Sequence, residues 1–335
     1  MSIEIIATGR YIPKKTLTNE DLTKYVETSD EWIYSHTGIK ERHIVSEDEA
    51  TSDLAYKAAL NALELINAEN PKQAAADIDL IVVATASPDY PGFPSVACIV
   101  QDKIGAKKAA AFDVMAGCTG FIYAIDTAYS MILSGHRKKA LVIGSDALSR
   151  ITDWTDRNTC VLFGDGAGAA ILELKDNEKN KKRGILRSIL GSDGSGAKYL
   201  LLRRGGTRNP FKVGETIVKP THIEMEGQPV YLFAVNAITK TIKSILKKEG
   251  LTLDDVAFIV PHQANKRIID AAAKRLGISS DTFYLNIEKY ANTSAASVAI
   301  ALDELARSGS LKKGDIIITV GFGAGLTYGA NLIVW

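Results

Sequence analysis

The feature that most constrains this chain is that its second half repeats the pattern of its first. Cys118-Thr-Gly-Phe-Ile-Tyr-Ala-Ile-Asp126, running on to Ser134-Gly-His-Arg-Lys-Lys139, lies over Asn292-Thr-Ser-Ala-Ala-Ser-Val-Ala-Ile300, running on to Ser308-Gly-Ser-Leu-Lys-Lys313. The offset is 174 at Cys118 and again 174 at Ser134, so the register holds without a gap. A strand pattern follows in both copies, Ala140-Leu-Val-Ile143 and Asp315-Ile-Ile-Ile-Thr319. Upstream, Ile78-Asp-Leu-Ile-Val82 matches Val256-Ala-Phe-Ile-Val260 at an offset of 178, which a loop difference explains. Strands this apolar are buried on both faces. Two such halves, neither able to stand alone, predict a duplicated α/β fold with two packed sheets. The charge run Lys175-Asp-Asn-Glu-Lys-Asn-Lys-Lys-Arg183 is the natural boundary and divides the chain into 1–174 and 175–335.

Local patterns fill in the first half. Strands are expected over Ile3–Ile12, Ile78–Ala84 and Ala167–Leu174, and helices over Asp30–Thr37, Ser52–Ile66 and Pro94–Ile104. A polar excursion spans Ser145–Asn158, where the second half has no counterpart. The net charge of +1 argues against non-specific nucleic-acid binding. No apolar run reaches the length of a membrane span, and Met-Ser-Ile-Glu-Ile-Ile lacks the features of a signal peptide. Three cysteines without metal-ligand spacing suggest a cytoplasmic protein with neither disulfides nor metal. Cys98 and Cys160 lie in apolar surroundings and are expected in the core.

Cys118 stands between two glycines where the buried stretch Ala109–Phe112 gives way to a helix reaching about Ser134. A cysteine at a helix start meets unpaired N–H groups and the positive end of the macrodipole, so a lowered pKa is expected, with faster alkylation than at Cys98 or Cys160. The duplication puts Asn292 at the equivalent position of the second half. His262 follows directly on the strand ending at Val260, at the same edge. A cysteine, a histidine and an asparagine together suit thioester chemistry: one nucleophile and two donors for an oxyanion.

The same residues resemble the β-ketoacyl-acyl-carrier-protein synthase III family. The matching stretches are Thr28-Ser-Asp-Glu-Trp-Ile33, Thr37-Gly-Ile-Lys-Glu-Arg-His43, Ala116-Gly-Cys-Thr-Gly-Phe121, Thr155-Asp-Arg157, Phe163-Gly-Asp-Gly-Ala-Gly-Ala169, Pro261-His-Gln-Ala-Asn265, Asn292-Thr-Ser-Ala-Ala-Ser297 and Gly321-Phe-Gly-Ala-Gly325. They occur in family order along essentially the whole chain. The resemblance implies the thiolase fold, a duplicated five-layer αβαβα arrangement with two mixed sheets. It also implies a condensing enzyme that initiates type II fatty acid synthesis, working without a cofactor on CoA thioesters. In that scheme Cys118 takes an acyl group from acyl-CoA. His262 and Asn292 then stabilise the enolate formed as malonyl-acyl carrier protein loses CO₂, and condensation gives a 3-oxoacyl-carrier protein.

Further roles come by the same route. Backbone N–H groups of Cys118 and Ala324 would hold the acyl-transfer oxyanion, and Phe322 would lie against the cysteine. Trp32 and Arg157 match a pair that sandwiches the CoA adenine, and Asn265 matches a contact to the pantetheine arm. Phe93 matches a residue that enters a partner's acyl pocket, implying a homodimer. On the helix after His262, the cations Lys266, Arg267 and Lys274 are expected to attract the acidic carrier. His36 departs from the arginine of several relatives. Gly164-Asp-Gly-Ala-Gly168 has the wrong spacing for a dinucleotide loop and reads as tight sheet packing. A thiolase would need a second cysteine within Gly321–Gly329, and a hydroxymethylglutaryl-CoA synthase a glutamate within Ser87–Tyr90; neither is present. A secondary-metabolism ketosynthase of the same fold stays open, as does the starter, acetyl or a branched or longer chain.

Overall fold

The computed structural model describes residues 1–176, 182–214 and 221–335. The strands of its two main sheets are β1 (Ser2–Tyr11), β2 (Leu80–Ala84), β3 (Ala110–Val114), β4 (Lys139–Ala147), β5 (Asp165–Lys175), β6 (Gly184–Ser192), β7 (Val256–Pro261), β8 (Ile316–Gly323) and β9 (Thr327–Val334). The helices that position them are α1 (Asp30–Thr37), α2 (Thr51–Ile66), α3 (Val96–Ile104), α4 (Gly120–Leu133), α5 (Gly227–Glu249), α6 (Lys266–Leu276) and α7 (Ala296–Arg307).

The first sheet runs β1-β5-β4-β2-β3, parallel through β4, β2 and β3 and antiparallel at β5 and β1. The second runs β6-β9-β8-β7, with the same alternation of parallel and antiparallel pairs. Phe283 continues its order with a single parallel bridge to Ile259, where the first sheet has the whole of β3. The repeat in the sequence is thus a repeat of topology. The fifth strand has shrunk to one bridge in the second copy.

Strand β2 shows why the sheets must be covered on both sides. Leu80, Val82 and Ala84 pack with the central helices, while Ile81 and Val83 pack with α2 and α3 on the other face. Period-two alternation between two apolar environments leaves no position for a polar side chain. Helices α4 and α7 fill the middle layer, with Phe121, Ile125 and Ile132 meeting Val298, Leu302 and Leu305. Helices α5 and α6 cover the outer face of the second sheet. The order is helix, sheet, helix, sheet, helix, in five layers. Gly168 lets α7 lie directly on the first sheet, since a Cβ there would come within 2.5 Å of the Ala299 Cβ. The glycine-rich stretch is indeed a packing device.

Three expectations change. Cys118 does not open the long helix: Gly117–Thr119 is a separate 3₁₀ turn, and α4 begins at Gly120. The polar excursion starts later than its composition suggests, because Ser145, Asp146 and Ala147 complete β4 and are buried. Cys98 is exposed rather than in the core, whereas Cys160 is buried. Of the boundary run, residues 177–181 lie outside the described residues.

Phe121 has no exposed surface and stands at the centre of the middle layer. Phe121→Ala should cost about 3–5 kcal/mol, measured as a fall in the thermal midpoint. Leu65→Ala, at a position 56% exposed, should stay within about 0.5 kcal/mol.

Candidate active site

The position of Cys118, the candidate nucleophile, is made where the halves touch. Chain leaving β3 folds into the Gly117–Thr119 turn, and β8 ends against it. Gly323 is what allows this approach, because a Cβ there would meet the Cys118 backbone nitrogen at 2.7 Å and its Cβ at 2.8 Å. Thr327 Oγ1 fastens the same turn from β9, within 2.9 Å of the Ala116 carbonyl. Burial pushes the Cys118 thiol up to about 11, against the sequence expectation of a lowered value. The Ser294 hydroxyl, donating to Sγ at 3.4 Å, and the N–H groups of Ala324 and Cys118 itself pull the other way. Desolvation wins because the helix proper starts only two residues later and the turn sits deep between the sheets. The two backbone donors expected to form an oxyanion hole do face the sulfur.

His262 leaves the end of β7 and is almost completely buried. Burial lowers its pKa to about 3, so the ring is neutral. Its Nδ1 lies 2.7 Å from Ser297 Oγ, on the first turn of α7. Donation from that hydroxyl to Nδ1 leaves the hydrogen on Nε2, the tautomer a donor requires; Ser294 O is the competing acceptor, at 2.9 Å. Phe322 meets the imidazole edge-on, with centroids 5.1 Å apart. Asn292 is held at its backbone by a bridge to Phe163, and its Oδ1 accepts from Ser294 N at 2.9 Å. Among the described residues its Nδ2 has no hydrogen-bond partner, so two N–H bonds remain for a ligand. Ser297 escaped the sequence reading, since a serine inside an apolar helix gives no signal of its own.

Two cavities meet at Cys118. The larger, about 660 Å³, reaches from Cys118, His262, Asn292 and Phe322 out to Trp32 and Arg157. Arg157 lies over the Trp32 ring at 4.7 Å and donates to the Glu27 carbonyl. His36 stacks on the same indole at 4.4 Å. Asn265 also lines this cavity, with its side chain engaged in capping α6 and in a bond to the His36 carbonyl. The smaller cavity, about 90 Å³, runs from Cys118, Ser294 and Ala324 to the apolar Leu148, Ile151 and Ile223. These three were not legible as site residues. Two of them are isolated apolar positions in a polar stretch.

The remaining candidates stand at the edges. Phe93 is 90% exposed and lines neither cavity. Arg267 lies at the mouth of the large cavity and donates to the Ser35 carbonyl. Lys266 pairs with Asp270 at 2.8 Å, and Lys274 is exposed on the same helix, away from the cavity lining. Among the described residues no cluster of His, Cys, Asp or Glu could hold a metal ion, and no helix is long and apolar enough to cross a membrane.

Known proteins resemble this chain in sequence and fold. Residues 112–194 match the family 3-oxoacyl-[acyl-carrier-protein (ACP)] synthase III, and residues 246–335 match its C-terminal domain. A β-ketoacyl-[acyl-carrier-protein] synthase III of Caldanaerobacter subterraneus is 53% identical, with 99% of this chain and 97% of the relative covered. One from Clostridium acetobutylicum is 51% identical over 100% and 99%. Among solved structures, the Thermus thermophilus synthase III superposes with a TM-score of 0.89 at 42% identity, covering 99% of both chains. The priming β-ketosynthase of the R1128 polyketide biosynthetic pathway superposes at 0.90 with 33% identity, covering 99% of this chain and 96% of the other. The duplicated five-layer fold and the full-length identity lead to one conclusion: the chain belongs to the β-ketoacyl-[acyl-carrier-protein] synthase III family of acyl-transferring condensing enzymes.

Proposed function

We propose that this chain moves an acyl group from acyl-CoA to Cys118 and condenses it with malonyl-acyl carrier protein, starting fatty acid synthesis. The observation that carries the reading is the place of Cys118 at the junction of two cavities, one large and mainly apolar with polar groups at Arg157, Asn265, His262 and Asn292, the other small and apolar. The pantetheine arm lies in the large cavity and the acyl chain in the small one, so the thioester carbonyl comes to Sγ. As the thiolate attacks, the N–H groups of Cys118 and Ala324 take the oxyanion. CoA departs, and the malonyl arm enters by the same route. His262 Nε2–H and Asn292 Nδ2–H donate to the malonyl thioester oxygen while CO₂ leaves, and the carbanion attacks the acyl-Cys118 carbonyl. Phe322 fixes the imidazole plane and shields the site. Neutral donors suit this step, because a charged imidazole would bind the malonyl carboxylate and hold back its loss.

Trp32 and Arg157 bracket the adenine. Their planes are already in contact, so Arg157 moves aside by about 3.5–4 Å to admit a ring. Asn265 meets the pantetheine arm through the lone pair its cap leaves free. Arg267, with Lys266 and Lys274, draws in the carrier. Exposed Phe93, exposed Met115 just past β3, and the outer edge of β3, which has no strand partner among the described residues, support a homodimer in which Phe93 closes the partner's acyl cavity. Unpaired cysteines fit the cytoplasm, and the chain divides into halves at 174/175. The small size of the apolar cavity, about 90 Å³, favours a short starter. Likeness to the polyketide priming enzyme supports a second reading, a secondary-metabolite ketosynthase. The starter separates the two.

Offered a panel of acyl-CoAs, Cys118 should gain the shortest acyl groups fastest, as read by intact-protein mass. Ile223→Phe should slow longer chains most, and a preference for long chains would refute this assignment of the cavity. Cys118→Ala should end acyl transfer yet keep malonyl decarboxylation, and adding Asn292→Ala should slow that decarboxylation about 10²–10³-fold. Because His262 titrates near 3, the decarboxylation rate of Cys118→Ala should show no step from this ring between about pH 5 and 8. A loss centred near the ordinary histidine pKa would contradict a neutral donor. Arg267→Glu should raise KM for malonyl-carrier protein and leave acylation by acyl-CoA nearly unchanged, the difference shrinking at high salt. Equal losses with both substrates would mean that the helix only supports the site.

A further inference from the structure

The reaction just described leaves Asp146, close to Cys118, unused. It lies at the end of β4 with no exposed surface, and among the described residues no lysine, arginine or histidine pairs with it. Its Oδ1 accepts from Thr85 Oγ1 at 3.0 Å, from the N–H groups of Ala86 at 2.8 Å and Ser87 at 3.0 Å, and from Ser87 Oγ at 2.7 Å. Its Oδ2 accepts from Ala295 N at 3.0 Å. The Ser294 hydroxyl is also within its reach, and that hydroxyl touches Cys118 Sγ at 3.4 Å. Ser294 is itself unusual, a buried non-glycine residue at φ 49°. Such a backbone costs free energy and is kept where it aims a group. Buried carboxylates normally have a cation. This one has a hydroxyl, with a nucleophile on the far side.

We propose that Ser294 and Asp146 form the proton path of Cys118. In the acyl-transfer half, the Cys118 S–H bond breaks as Ser294 Oγ takes that proton, and the proton already on Oγ passes to Asp146. The thiolate adds to the acyl-CoA carbonyl, and collapse expels the CoA thiolate, which is protonated by solvent. The carboxyl keeps its proton while the acyl-enzyme waits. In the condensation half, attack of the carbanion expels the Cys118 thiolate, and the proton returns from Asp146 through Ser294 to Sγ. Each turnover therefore leaves the relay as it began. Burial supports the direction of transfer. It raises the proton affinity of Asp146 and lowers that of His262, the other ionisable group at the site, so the carboxylate is the better store. Ser294 is a positioning and relay residue, and Asp146 acts only through it.

The inference rests on Cys118 being the acyl acceptor, so that is tested in the same experiment. Acylation by acetyl-CoA in a single turnover is followed by rapid quench and intact-protein mass, in H₂O and D₂O, for the wild type, Ser294→Ala and Asp146→Asn. Alkylation of Cys118 is followed against pH in parallel. The wild type should acylate with a solvent isotope effect. Ser294→Ala should acylate about 10²-fold or more slowly, lose the isotope effect and shift Cys118 alkylation to higher pH, with malonyl decarboxylation falling much less. Asp146→Asn should match it. Wild-type acylation rates in Ser294→Ala would overturn the relay. So would equal losses of acylation and decarboxylation, which would mean that Ser294 only holds the turn carrying Asn292. If Asp146→Asn does not fold, Ser294→Ala decides alone, since its backbone contacts are unchanged. A wild type that stays unacylated at Cys118 would overturn the acyl-acceptor reading along with the relay.

Discussion

The site depends on one close approach, that of the end of β8 to the Cys118 turn. Gly323 lies so near Cys118 that no side chain fits between them. The contact joins the two halves of the duplication: the first brings Cys118, and the second brings the N–H of Ala324 and, from neighbouring chain ends, His262 and Asn292. Bonds across the same boundary hold it in register. Thr327 reaches Ala116, the amide of Asn331 reaches the Ile122 carbonyl at 3.4 Å, and Asp146 holds Ala295. A core of aliphatic contacts would tolerate small slips between layers. Buried polar groups do not, since each unmatched one costs about 1–3 kcal/mol. The apolar layers supply the cohesion, and these bonds fix the alignment.

Much of this was legible in the sequence, and the reason is periodicity. The 174-residue offset was visible because a duplicated topology imposes the same burial on the same positions twice, and the central helices keep small and apolar residues at matching places. Cys118 and Asn292 could be placed together because each precedes one of the two helices that the repeat matches, and His262 because it follows a strand that the repeat matches. The missing counterpart of β3 was not legible. One bridge at Phe283 leaves no alternation to read.

What the sequence hid was burial in three dimensions. The expected acidity of Cys118 came from a local rule about helix starts, and the structure places the residue in a short turn where desolvation outweighs the nearby N–H groups. Asp146 looked like part of a polar excursion because Ser145 and Asp146 are polar, yet both are interior residues of β4. Leu148 and Ile151 looked like stray apolar residues and line the small cavity. A residue's type reveals its burial only when its neighbours repeat the pattern. Single residues that turn inward from a loop give no such sign, and active sites are largely built from them.

The resting thiol then poses a physical problem with a specific answer. A dry site strengthens every hydrogen bond to a developing oxyanion, and it equally opposes formation of a thiolate. Permanent countercharge near Sγ would ease the second difficulty and worsen the first, because it would also bind the malonyl carboxylate that must be lost. Among the described residues no lysine or arginine lines this end of the cavity. Arg157 and Arg267 stand toward the outer part, while around Cys118 the donors are hydroxyls, amides and a neutral imidazole. In the proposed reaction such groups would stabilise negative charge wherever it arises in turn, on sulfur, on the acyl oxygen or on the enolate, without trapping it at any one of them. A single desolvated site can therefore serve both halves of a two-step reaction, provided that the proton taken from sulfur has somewhere neutralising to go.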